Sequence, residues 1–102
     1  MGNDEAFFAE LVDELLADAP AQLETLASAA ATGDAEGARR AAHTLKGNGR
    51  TFGAARLATL CQEAEAAGAN GDLEAVRASL GDIETAWGEV ESALIAARDG
   101  TY

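Results

Sequence analysis

At 102 residues the chain has room for one domain, and a domain of that size buries only about two-thirds of the surface its unfolded chain exposes. Its hydrophobic content rests on 26 alanines with only five aromatics (Phe7, Phe8, Phe52, Trp87 and Tyr102), a composition that favours closely packed helices and an all-α fold. A formal net charge of −11 argues against nucleic acid or an anionic membrane as the main partner, because both reward basic surfaces.

In chain order, the first helical pattern places Phe8, Leu11, Val12, Leu15, Leu16 and Ala19 on one apolar face. Pro20 then either kinks one long helix or begins a second one at its first turn, with Leu23, Leu26 and Ala30 continuing the stripe. Thr32, Gly33 and Asp34 read as a stop followed by an N-cap, and a second helix is expected over about 35–50. A third, over about 54–67, should bury Leu57, Leu60, Cys61 and Ala64 before a turn across residues 68–72. The last carries Leu73, Val76, Leu80, Ile83, Trp87, Val90, Leu94 and Ala97 three and four apart, the seam of an antiparallel bundle. Gly81 and Gly88 interrupt that helix and imply either close helix contact or a bend. The expected architecture is an antiparallel four-helix bundle filling residues 1–102 as a single domain. Cys61 is the only cysteine and suits a reducing cytoplasm, and charges interrupt every stretch long enough to span a bilayer.

The second helix carries the chemistry. Ala38, Ala41, Ala42, Leu45, Gly49 and Phe52 share its core face, while Arg39, His43, Lys46 and Arg50, at offsets of four, three and four, stack along the other side as an exposed stripe. His43 is the only histidine and is expected to face water, with Gly47 leaving the imidazole open to another macromolecule. No Asp or Glu occurs from Gly37 to Gln62, so an acidic chain keeps one basic zone, comprising Arg39, Arg40, Lys46, Arg50 and Arg56. One histidine is too few for a dedicated transition-metal site, and Asp13, Glu14 and Asp18 show no metal-ligand spacing.

The run His43-Thr44-Leu45-Lys46-Gly47, followed by Phe52-Gly53-Ala54, resembles the signature of histidine-containing phosphotransfer (HPt) domains of bacterial two-component phosphorelays, and the resemblance extends over the whole chain. It implies a four-helix bundle in which the histidine Nε2 takes a phosphoryl group from a receiver-domain aspartyl phosphate and passes it to another receiver. It further implies a carrier with no ATP site or metal of its own, Mg²⁺ being supplied by the receiver. Receiver domains are then the expected partners, alone or within a hybrid sensor histidine kinase, and the domain is expected to be a cytoplasmic monomer. Lys46, one turn from His43, is the expected phosphate partner, since phosphorylation adds nearly two negative charges. Arg39, Arg40, Gly47 and Arg50 form the expected docking surface. The family position 22 residues beyond the histidine, often glutamine, is Glu65 here; it could orient Nδ1–H by a hydrogen bond, although its charge opposes phosphate.

Three other protein classes present a comparable helix. The dimerisation and phosphoacceptor domain of a histidine kinase generally has an acidic residue after the histidine and a proline a few residues on. Here Thr44 follows, and no proline occurs after Pro20. The phosphoacceptor domain of a chemotaxis-type kinase is closer, and the resemblance leans slightly away from it. A non-catalytic helical interaction module would leave His43 without a role.

Overall fold

The computed structural model describes residues 2–100, which form four helices, α1 (Gly2–Thr32), α2 (Ala35–Thr51), α3 (Ala55–Ala69) and α4 (Leu73–Asp99). Consecutive helices are joined by turns of only two or three residues, which forces neighbours to run antiparallel. The bundle measures 47 × 20 × 18 Å, elongated because α1 and α4 are far longer than the two helices between them.

Local chemistry explains the boundaries. Gly33 adopts a left-handed φ of 88° after α1, and the Asp34 carboxylate then accepts the Gly37 N–H at 2.9 Å. Gly71 and Asp72 repeat the device before α4, with Asp72 accepting the Ala75 N–H at 3.1 Å. Acidic caps suit helix N-termini, where orphan N–H groups carry partial positive charge.

Pro20 does not split α1, which runs unbroken for 31 residues. Pro20 lies on the exposed side, where water can replace the missing N–H at the preceding turn, and the buried stripe continues past it through Ala19, Leu26 and Ala30. Phe8 corrects the expected core. It is exposed with Phe7, because α2 gives way to its turn opposite Leu11 and Leu15, leaving the start of α1 beyond α2's reach. Leu11 is only half-buried, in a surface groove beside Phe52, and the other large apolar residues expected inside are buried or packed against the core, which centres on Leu26, Leu45, Leu57, Ile83, Val12 and Val76, with Trp87 and Cys61 beside them. Arg77 ties the opposite end together by donating to the Ala30 carbonyl at 2.7 Å.

The glycines differ sharply in their surroundings. Gly68, expected in a turn, lies inside α3 and is buried against α2: a Cβ there would stand 3.0 Å from the Arg39 nitrogen and 3.1 Å from its Cα. Gly49 plays the matching part on α2, where a Cβ would meet the Ala58 nitrogen at 3.1 Å. Two backbone-to-backbone approaches thus bring α2 and α3 together, whereas Gly81 and Gly88 face open space and make no close contact. Among the described residues, no helix is long and apolar enough to cross a membrane.

Candidate functional site

The α2–α3 contact carries a polar ladder on its outer surface. α2 buries Gly37, Ala38, Ala41, Ala42, Leu45 and Gly49, so its other side is committed to solvent and to the flank of α3. His43 projects from that side with 61% of its side chain exposed. Gly47, one turn further on, is exposed, and among the described residues nothing lies within 4 Å of where its Cβ would be, so the surface beside the ring is open there.

Glu65 of α3 joins the site in two places. One carboxylate oxygen, Oε2, lies 2.7 Å from His43 Nδ1, and the other, Oε1, lies 2.5 Å from Lys46 Nζ. Lys46 holds the Glu65 carboxyl below its usual range, with the His43 contact adding to the effect, despite opposition from partial burial. An ionised Glu65 can only accept, so Nδ1 carries the hydrogen and Nε2 keeps its lone pair, directed away from the carboxylate. The imidazole tautomer is thus set by a neighbouring helix, and the nitrogen left free is the exposed one.

The exposed stripe needs correction at Lys46. Its side chain is only 15% exposed, because it reaches across to Glu65 on α3. Arg39 is forked onto Glu36, with Nε donating to Oε2 at 2.9 Å and Nη2 to Oε1 at 2.5 Å. Arg50 reaches across to Gln62 at 3.3 Å, and Arg40, three residues before His43, is exposed. His43, Lys46, Glu65, Arg50 and Gln62 therefore share one surface, with Arg39 and Arg40 at its edge. Gln62 escaped the sequence reading. The available signal was its place three residues before Glu65 on the same face of α3. Asn48 faces α1 instead, donating to Asp18 at 3.0 Å, and fixes the other flank of α2.

A single exposed imidazole on a short-looped helical bundle, oriented from behind and flanked by cations, suits covalent carriage of an anionic group. A family model for the Hpt domain matches residues 10–99, and the chain belongs to that family. Its role is therefore phosphotransfer within two-component signalling, the work of modules that have no ATP site of their own and act with receiver domains. Searches of curated proteins and of solved structures found no match.

Proposed function

We propose that His43 is the phosphoacceptor, taking a phosphoryl group on Nε2 from the aspartyl phosphate of one receiver domain and passing it to the aspartate of another. The observation that carries this reading is the His43–Glu65 contact, which makes Nδ1 the protonated nitrogen and leaves the exposed Nε2 as nucleophile. The phosphorus is attacked in line, so the receiver must present its aspartyl phosphate over the open side of the ring. Gly47 leaves room for that approach.

Lys46 is the nearest cation to balance the incoming charge, standing one helical turn from the nucleophile with its Nζ already beside the ring through Glu65. Arg40 and Arg50, with Arg39 at the margin, give the docking face a positive rim on an otherwise acidic chain, complementary to an acidic receiver pocket. Mg²⁺ belongs to the receiver in this reading, and the carrier contributes no metal ligand. Incubation with a phosphorylated receiver, followed under alkaline conditions by mass spectrometry for the residue and by nitrogen-15 and phosphorus-31 NMR for the linkage, tests the assignment. Phosphate should be found on His43 and linked through Nε2; linkage through Nδ1, or a phosphate elsewhere, would remove it.

A further inference from the structure

We infer that the end of the bundle carrying the α2–α3 turn is a docking groove for a basic amphipathic helix of another protein, on a surface separate from the phosphotransfer face.

Helix lengths create the groove. Leu11 of α1 is level with Phe52, and Val90 of α4 is level with Ala54, at the turn where α2 gives way to α3. Residues 2–10 of α1 and 91–99 of α4 therefore run on past that turn as a bare antiparallel pair, for roughly 13 Å at 1.5 Å per residue. Inside the bundle each apolar stripe is covered by two neighbours, whereas in this overhang α2 and α3 are absent and the faces they cover elsewhere stay open. Phe7 and Phe8, 63% and 37% exposed, lie on the side of α1 that α2 covers further along. With Ile95 they make up the exposed large apolar residues among the described part of the chain, and all three belong to the overhang. Open clefts of about 300 and 270 Å³ flank Phe52, the first beside Leu11 and the second beside Val90 and Leu94. Phe52 follows His43 by nine residues, half a turn round α2 from it, and His43, Lys46 and Glu65 line neither cleft.

Charge selects the occupant. Glu10 and Glu14 are exposed along the α1 rim, and Glu89 is exposed on the α4 rim. Arg98, the one base in the overhang, is already bonded to Asp13 and Asp99, and Arg56 stands at the margin beyond Ala54. An apolar floor between carboxylate rims is matched by a helix with apolar residues at i, i+3 and i+7 and Lys or Arg on either side. Laid over Phe8 and Phe52, such a helix supplies the neighbour that α1 and α4 lack. A second copy of this chain, of net charge −11, would instead set these carboxylates against their own counterparts and is the poorer fit.

The test titrates the full chain with a fluorescent synthetic peptide of about 18 residues, a leucine and lysine sequence patterned as an amphipathic helix. Anisotropy should show saturable binding, weakened roughly ten-fold by Phe8→Ser and by Glu14→Lys, with circular dichroism showing both variants folded. Phe7→Ser gives a second reading at a ring with less packing to lose. A scrambled peptide of the same composition should bind roughly ten-fold more weakly, which separates recognition of the groove from attraction to net charge. Amide shifts in NMR should fall on Phe8, Leu11, Phe52, Val90 and Leu94 and spare His43, Lys46 and Glu65. Equal binding of the scrambled peptide, indifference to the Phe8 and Glu14 changes, or shifts centred on His43 would overturn the groove. Sedimentation showing a concentration-dependent dimer that Phe8→Ser dissolves would also overturn it, because a second copy would then be the occupant.

Discussion

Gly68 on α3 sits against the backbone of Arg39 on α2, close enough that a Cβ would stand 3.0 Å from the Arg39 nitrogen. Glu65 is one turn back along α3 from Gly68, and His43 is one turn forward along α2 from Arg39. In an antiparallel pair these offsets coincide, so the close approach at Gly68 sets the separation at which Glu65 meets His43 at 2.7 Å. Packing deep in the helix pair therefore controls geometry at its surface.

Gly68→Val should force the two backbones apart and cost about 1–3 kcal/mol. For a domain of this size each kcal/mol lowers the melting temperature by about 4–8 °C, which thermal unfolding followed by circular dichroism would register. Gly81→Ala and Gly88→Ala should act in the opposite sense. Both positions face open space inside α4, so removing the glycine entropy penalty should stabilise by up to about 1 kcal/mol.

The Glu65 carboxyl should titrate below the usual carboxylate range, because Lys46 and then His43 favour its ionised form. A depressed folded-state pKa contributes stability that is present above the unfolded value and is lost as pH falls through the folded one. Carbon-13 NMR of the Glu65 carboxyl should therefore show a midpoint below the range of ordinary glutamates, and Lys46→Ala should move it upward. The same substitution should slow phosphotransfer with little change in helix content. Unaltered transfer rates together with an unmoved midpoint would detach Lys46 from the site.

Cys61 is fully buried, and burial pushes its thiol up to about 11. Alkylation at pH 8 should be very slow in the native protein and should proceed at the rate of unfolding or opening, since the thiolate is the reactive species. Rapid labelling without unfolding would show that the α3 core opens far more readily than its packing implies.

Arg40→Glu should reduce the second-order rate of transfer from a receiver, most strongly at low ionic strength, because exposed charges steer encounter and are screened over about 8 Å at physiological salt. Arg50→Glu should do the same and also lose its bond to Gln62. Arg56 is the better control, being exposed on the side of α3 turned away from Glu65. Arg98 is unsuitable for that purpose because it ties α4 to Asp13 of α1 at 2.8 Å. Equal effects at Arg40 and Arg56, or no salt dependence, would mean that docking rests on apolar contacts around Gly47.

Much of this was legible in the chain itself. Helical spacing located four helices and the histidine face, since periodicity encodes which side of each helix is buried, and Asp34 and Asp72 announced their caps. Pro20 was ambiguous because a proline on a wet face and one at a helix start look alike in sequence. Gly68 was misplaced in a turn because a glycine that stops a helix and one that admits a neighbouring backbone carry the same letter. Lys46 appeared exposed because helical phase records direction alone. Its long side chain bends over to Glu65, a tertiary contact between residues 19 apart that periodicity within α2 cannot express.

The central claim is tested most directly by labelling with a phosphorylated receiver, comparing the wild-type chain with His43→Gln. The exposed ring contributes little to packing, so the variant should fold with an unchanged circular dichroism spectrum. The account predicts acid-labile, alkali-stable label on the wild type and none on the variant. Label of that kind persisting on His43→Gln, or a wild-type chain that takes none from any receiver tested, would contradict it.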